Sequence, residues 1–453
     1  MRIVYFDIDS LRPDHLGCYG YDRPTSPAID SVAAEGTRFT RYYCADSPCM
    51  PSRHGLISGR FGINNGVITH GGPASKLQID ETLYRGPQPH NQLLQRQIRE
   101  NGIESICFSN FPYRHCATWF GLGWTEMHSP SLHSGSEPAA EVAEPVLRWL
   151  RANEDRDDYF LYINFWDPHR IYRMDPSWAD RFRDFPVTQS WPDDSAIRAQ
   201  QSDKGPFTSH GQFKNDESTV PLMPGAIRSR ADFEHMVTGY DAAIAYTDHY
   251  VQLVLDELRR QGVYDDSAVL ISADHGDNFG EHGIYSDHVC ADEAIHNVPL
   301  IVKWPDVASP GGVVDTKLYN VDLSATLCEL TGSDAPEHYD GVSFASALKG
   351  EPIPEREYLV WGHGLYTLQR AVRTDRHLMV RTYDDYGYRF EETELYDMEE
   401  DRFQTRNLAK EEPDTVAELD RMLSDWIQEQ SAKPYAIPDP MQVELRRRQE
   451  ASR

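Results

Sequence analysis

The chain has 453 residues and a formal charge of −28, from 44 Lys and Arg against 72 Asp and Glu. So acidic a protein is no nucleic-acid partner, because duplex binding needs a basic face that displaces counterions; an anionic ligand would have to be captured by a local positive site. No uninterrupted apolar run approaches the ~20 residues of a membrane span, and 40% hydrophobic residues is ordinary for a globular chain long enough for one large domain plus a smaller one.

The N-terminus, MRIVYFDIDS, enters an apolar run at once. It lacks the charged leader, apolar segment and small-residue cleavage site of a secretory signal, so a cytoplasmic location is expected. Ile3 to Phe6 reads as a short buried strand that finishes in Asp7-Ile8-Asp9-Ser10, and Ala28 to Glu35 as a helix. Cys49-Met50-Pro51-Ser52-Arg53 follows. Pro51 and Ser52 suit the first turn of a helix, which sets Cys49 at the positive end of the helix dipole, where anions gather. For a single cysteine taken at random, a buried structural thiol is the usual alternative. The seven cysteines are odd in number, scattered and without a CxxC pair, so neither a disulfide framework nor a zinc ribbon is indicated.

His70, in Thr69-His70-Gly71-Gly72, either lines a pocket or is a turn histidine. Helix candidates at Asn91 to Glu100 and Ala139 to Arg151 bracket a strand at Ser105 to Phe108, and a third strand, Phe160 to Phe165, runs into Asp167-Pro168-His169. Residues 170–230, rich in Trp, Pro, Asp, Ser and Gln, break the rhythm and read as an insertion over the active-site face. A long helix from about Asp232 to Gln261, stopped by Gly262, precedes a strand, Ala268 to Ser272, that leads to Asp274-His275-Gly276-Asp277. His275 and His282 mimic zinc spacing, but the glycines between them argue for a loop and no HExxH helix exists. Pro299 to Lys303 is a further strand and Leu323 to Leu330 a further helix.

After Pro354 the texture changes: Tyr358 to Trp361, Ala371 to Arg373 and Leu378 to Tyr383 look like antiparallel strands, with a helix near Thr415 to Gln430. The expected organisation is a catalytic α/β domain over 1–354, with a mostly parallel central sheet flanked by helices, a C-terminal α+β subdomain over 355–432, and a tail over 433–453. That tail would lie on the surface or reach a neighbouring subunit, which leaves a homo-oligomer open.

Open α/β sheets bind ligands at the carboxyl ends of their strands. Three strands finish in Asp7-Ile8-Asp9-Ser10, Asp167-Pro168-His169 and Asp274-His275-Gly276-Asp277, and two carboxylates and an imidazole from separate strand ends make a plausible site for one hard or borderline divalent cation. Taken one at a time, acidic residues after strands are more often caps or turns; the cluster is what argues for a site.

CMPSRHGLISGR resembles the sulfatase signature, C-x-P-S-R followed by an apolar pair and Thr/Ser-Gly. RIVYFDIDSLRPDHLGCYGY, the stretch YDAAIAYTDHYVQLVLDELRRQGVYDDSAVLISADHGDNFGEHG, HNVPLIVKWP, VDLSATLCELTG and ELYDMEEDRFQTRNLA are similar to further segments of that family in the expected order. The resemblance, to the formylglycine-dependent sulfatases of the alkaline-phosphatase-like superfamily, covers nearly the whole chain. It implies that Cys49 is oxidised to formylglycine by a formylglycine-generating maturation enzyme, and that the hydrated aldehyde attacks sulfur and then expels sulfate. It also implies that Asp9, Asp274, His275 and residue 49 are metal ligands, that Arg53 holds the formylglycine and offsets developing charge, and that His169 contacts the substrate.

Departures from the family pattern matter. Asp9-Ser10 stands where many members have two aspartates, and Asp274-His275 where many have Asp-Asn. This combination resembles a branch that also contains phosphonate monoester and phosphodiester hydrolases, the alternative to a sulfate ester. Ca²⁺ is favoured for the family, while a histidine ligand makes Mn²⁺ acceptable. Where the family carries Gly-Lys-Trp-His, this chain has Ser109 to His115, so Arg114 or His115 is assigned to the substrate anion, the alternative being a surface pair. His288 takes the place of a family lysine, as general acid toward the leaving group. The expected substrate is a small sulfated sugar or metabolite. A binding protein that kept the fold and lost the chemistry is disfavoured by the intact Cys49, Arg53 and metal positions.

Overall fold

The computed structural model describes residues 1–75, 93–131, 135–201 and 216–451. Eight strands form the central sheet: β1 (Arg2–Ile8), β2 (Thr37–Phe39), β3 (Glu104–Phe108), β4 (Glu126–His128), β5 (Tyr159–Phe165), β6 (Ser267–Ser272), β7 (Leu300–Lys303) and β8 (Gly312–Val314). They lie in the order β8-β2-β7-β6-β1-β5-β3-β4. Every pairing from β6 to β4 is parallel; β7 runs antiparallel to both β6 and β2, and β8 is parallel to β2. β5 and β6 are buried at every residue, as parallel strands covered on both faces must be. The sequence reading located β1, β3, β5, β6 and β7. The three-residue strands β2, β4 and β8 escaped it, being too short to show a period.

Register places the site. Asp7 pairs with Ser272 on one side of β1 and with Asn164 on the other, so the residues that follow all three strands emerge at one level. The Asp9 amide donates to the Phe165 carbonyl at 3.0 Å, extending that alignment past the strand end.

The covering helices include α1 (Pro27–Glu35), α2 (Cys49–Ser58), α3 (Ala139–Ala152), α4 (Arg230–Arg260) and α5 (Asn320–Leu330). The Asp248 carboxylate of α4 accepts the Ala28 and Ile29 amides at 3.0 and 2.9 Å, satisfying two donors that the start of α1 leaves without helical partners. Every residue of α2 is buried, and the Asn320 amide, at the start of α5, donates to the Ser52 carbonyl at 3.0 Å. Helix 91–100 of the sequence reading appears as Leu94–Glu100; Asn91 and Gln92 lie outside the described residues.

The insertion, whose residues 202–215 also lie outside the described set, packs against the segment after β6. Tyr172 Oη and Ser286 Oγ share a hydrogen bond at 2.8 Å, and Gln200 donates to the Gly280 carbonyl at 2.9 Å.

The late strands form an antiparallel sheet of β9 (Leu359–His363), β10 (Leu368–Arg373), β11 (His377–Asp384) and β12 (Thr393–Asp397). Helix α6 (Pro413–Ser431) covers it, with Leu419 and Leu423 on Val360, Val372, Met379 and Leu395. A fifth strand, Asp46–Ser47, comes from the chain just before Cys49 and pairs in parallel with β9. The sheet of the C-terminal subdomain therefore crosses the division at residue 354 and ends two residues from Cys49. In the stretch expected as a tail, helix α7 (Pro440–Ala451) folds back: Met441 is buried with Ile68 and Leu368, and Asp439 pairs with Arg370 at 2.6 Å. None of the seven cysteines is in a disulfide.

Candidate active site

Cys49 is the first residue of α2, after Pro48. Its Sγ lies 3.1 Å from His275 Nε2. One ligand atom each from Asp9, Cys49, Asp274 and His275 falls within 4.8 Å of the others, and all four residues are buried. The strand ends and the start of α2 thus bring the four expected metal-site residues to one point.

Arg53, one turn into α2 and 1% exposed, sits inside a ring of carboxylates. Its Nε donates to Asp7 at 2.6 Å, and Nη1 to Asp9 at 3.0 Å and Asp274 at 2.6 Å. Its guanidinium stacks on Phe111 at 4.8 Å, and Nη2 is buried without a hydrogen-bond partner among the described residues. Three buried carboxylates around one guanidinium leave an excess of two formal negative charges. Burial, only partly countered by Arg53, pushes the Asp274 carboxyl well up, with Asp9 and Asp7 adding to the rise. For Asp9 burial acts the same way, but Arg53 with His169, His275 and His288 outweighs it and holds that carboxyl far below the usual range. A divalent cation is what this donor set and charge excess fit.

The supporting bonds orient the donors. Asp274 Oδ1 accepts the backbone amides of Ser10 and His275 at 3.1 and 2.9 Å, which leaves Oδ2 facing inward. Ser10 Oγ donates to Asp9 Oδ1 at 3.0 Å. His275 Nδ1 lies 2.8 Å from the Gly276 carbonyl; its proton belongs there, so Nε2 presents a lone pair to the cluster, as a metal-binding imidazole requires. Burial beside Asp9 and Asp274 pushes the Cys49 thiol far up. As a cysteine, residue 49 is held in its unreactive protonated form.

His169 and His288 flank the same point, each with a ligand atom within 4.8 Å of Cys49 Sγ. Asp277 Oδ1 meets His288 Nδ1 at 2.7 Å, and the His288 ring lies 4.2 Å from that of His275 and 5.4 Å from that of His169. Burial, reinforced by His275, lowers His288 to about 3, and burial lowers His169 to about 4. Both imidazoles are therefore neutral at rest, with His169 Nδ1 against the Arg170 carbonyl. Such groups gain a proton only when an anion joins them.

His70, half-buried, lies beside the nucleophile: the Met50 amide points at its Nε2 at 3.4 Å, and its ring meets His115 at 4.6 Å. His115 Nε2 is buried with no hydrogen-bond partner among the described residues. Arg114 is exposed, its guanidinium resting on Trp166 at 4.6 Å; it makes no ion pair among the described residues and bears on Cys49 as a nearby positive charge.

The sequence reading gave no role to Asp7, Tyr162 or Asp277. Asp7 holds Arg53 and accepts the Tyr162 hydroxyl. Strand alternation puts Asp7 on the same face as Asp9, a usable signal. Asp277 sits inside the Asp274-His275-Gly276-Asp277 run, but its partner His288 is eleven residues on and only the folded loop joins them.

Comparison with known proteins supplies the family. The family model described as Sulfatase matches residues 2–333, and one described as N-sulphoglucosamine sulphohydrolase, C-terminal, matches residues 280–433. A Δ4,5-hexuronate-2-O-sulfatase of Bacteroides thetaiotaomicron is 24% identical over 94% of this chain and 88% of its own. A structure solved in complex with its substrate, D-glucosamine-2-N,6-O-disulfate, superposes with a TM-score of 0.75 at 19% identity, covering 97% of this chain and 99% of the other. The phosphonate monoester hydrolase of Agrobacterium radiobacter gives 0.73 at 18% identity, with 95% of each chain covered. Fold and family model together define an α/β hydrolase. Within that class, the chain belongs to the sulfatase family.

Proposed function

We propose that this sulfatase hydrolyses a sulfate monoester on a small sugar, with formylglycine at residue 49 as nucleophile and a divalent cation held by Asp9, Asp274, His275 and residue 49. The observation that carries the reading is the buried cluster at the start of α2, where three carboxylates share one guanidinium beside a thiol too protonated to react itself. When present, the cation supplies Lewis-acid polarisation, and formylglycine supplies a hydrated aldehyde that can both attack sulfur and release sulfate.

The chain's own residues do the rest. Arg53 offers the uncommitted Nη2 to the reacting oxygens, its other nitrogens being fixed by Asp7, Asp9 and Asp274. His169 Nε2 and His288 Nε2 face the space beside residue 49. An anionic ester there favours the imidazolium form, and Asp277 stabilises it at His288 Nδ1, so His288 can deliver the Nε2 proton to the leaving oxygen. His70, His115 and Arg114 surround the same space and are assigned to the substrate anion. The sugar is supported by relatives whose names specify hexuronate and glucosamine sulfates. Ca²⁺ or Mn²⁺ suits the three oxygen and nitrogen ligands.

A phosphonate monoester is the second reading, favoured by the neighbour from Agrobacterium radiobacter and by His275 after Asp274. Two measurements test the proposal. The tryptic peptide containing residue 49, from protein co-expressed with a formylglycine-generating enzyme, is expected to carry the aldehyde; unmodified cysteine in a fully active enzyme would refute the nucleophile. Matched aryl sulfate and aryl phosphonate esters should then show the faster turnover on sulfate, and the reverse order would move the assignment to the second reading.

A further inference from the structure

Among the described residues, one cluster of metal-ligating side chains shares no residue with the site above: His282, Cys290 and Asp292. His282 lies in the tight turn Glu281–Gly283 that joins the short strands Asn278–Phe279 and Tyr285–Asp287. It is a non-glycine residue at φ 55°, a left-handed conformation unusual for a side-chain-bearing residue. Cys290 and Asp292 follow His288, on the other side of the hairpin.

From this arrangement we infer a second metal site, in which His282, Cys290 and Asp292 bind a borderline-to-soft transition ion of the Zn²⁺ type and cross-link the turn of the hairpin to the segment that follows it, on either side of His288. The three ligand atoms lie within 4.8 Å of one another, and His282 Nε2 is 3.8 Å from Asp292 Oδ2. A tetrahedral ion with bonds of about 2.0–2.3 Å sets its ligand atoms roughly 3.3–3.8 Å apart, so a contraction of about an ångström closes the set. A fourth donor is at hand: Asn278 Oδ1 lies 3.6 Å from Cys290 Sγ.

Donor chemistry separates this cluster from the first. One thiolate and one imidazole among three ligands select a Zn²⁺-like ion over Ca²⁺. A thiolate and a carboxylate also neutralise a divalent ion, so the loaded site buries no net charge. Cys290 itself is packed among Ile284, Val289, Ile295, Tyr388 and Phe390, a closed apolar surround of the kind structural sites have. The consequence for the reaction is positional. The ion would fix the loop on both sides of His288 without touching substrate.

Cobalt(II) is the probe. A Cys49→Ser chain, which removes the thiol of the first site, is stripped with chelator, saturated with Ca²⁺ and titrated with Co²⁺. One equivalent should bind with a near-ultraviolet thiolate-to-cobalt band and visible bands of tetrahedral intensity, all displaced by Zn²⁺. In that background Cys290→Ala should abolish the charge-transfer band, and His282→Gln should weaken binding at least tenfold. Cys290→Ser, closer in volume, repeats the test if the alanine chain does not fold. Absence of the band in the Cys49→Ser chain overturns the inference, as does a band that survives loss of the Cys290 thiol. Because the readout is spectroscopic and residue 49 is already substituted, neither result depends on the nucleophile or on the choice of ester.

Discussion

Asp277 and His288 illustrate how one proton position sets a role. Nδ1 of His288 lies 2.7 Å from the Asp277 carboxylate, so the ring can hold a proton at Nε2 only as an imidazolium that Asp277 stabilises. Burial works the other way, and lowers the free imidazole to about 3. Replacing Asp277 by Asn removes the stabilising charge while keeping a similar shape. The expected outcome is that kcat on esters with poor leaving groups falls by about 10²- to 10⁴-fold, the range of general acid catalysis, while good leaving groups are far less affected. The alkaline limb of the pH–rate profile should also move to lower pH, because the imidazolium loses its proton earlier. Equal losses on both ester classes would show that Asp277 serves only the fold.

At the scale of elements, the insertion depends on one glycine of α4. Gly239 faces the Leu222 carbonyl so closely that a Cβ there would sit 2.0 Å from that oxygen and 2.8 Å from the Tyr172 ring. In an open helix, Gly→Ala stabilises by about 1 kcal/mol. Here the contact is with backbone, which cannot rotate away, and overpacking of this kind costs roughly 1–3 kcal/mol or more. Gly239→Ala should therefore lower the urea midpoint instead of raising it, and should disturb Tyr172, whose hydroxyl ties the insertion to Ser286 of the hairpin. A rise in the midpoint would mean that the insertion does not press on α4 as seen.

For the whole molecule, burial sets the response to pH. Asp46, Asp167 and Asp248 are each pushed up to about 7, chiefly by burial. A carboxyl raised in the folded state contributes stability that is full below its unfolded value near 4 and is lost as pH rises through 7. Buried histidines act in the opposite direction: burial lowers His54 and His363 to about 3 and His338 to about 4. Their contribution is full above the unfolded histidine value near 6.5 and is lost as pH falls below it. Above neutrality the charge of −28 adds self-repulsion. Between about pH 4 and 6.5 the two sets oppose each other, three groups against three, so the Tm in chelator should change little from pH 5 to 6.5 and fall above neutrality as self-repulsion grows. A steep rise or fall between pH 5 and 6.5 would contradict this account.

Strand positions, helices and fold class could be read from the sequence because apolar runs and 3.6-residue periods are local properties. That a candidate cation site lies at the strand ends was legible for a related reason: a parallel sheet delivers the ends of its strands to one edge, and family resemblance then singled out Asp9, Asp274 and His275. Family resemblance supplied the roles of Cys49 and Arg53, which composition and spacing do not give. Only tertiary structure decided the rest. The pairing of Asp7 with Arg53, of Asp277 with His288 and of His70 with His115 joins residues whose separation carries no period, as does the strand Asp46–Ser47 that completes the C-terminal sheet. Such contacts are fixed by register and loop closure, and a carboxylate beside a buried cation has the same local sequence as one in water. What the chain by itself determined was which elements form and which end of the sheet holds chemistry; how many carboxylates share one guanidinium there, and hence that the site fits a divalent cation, was decided by packing.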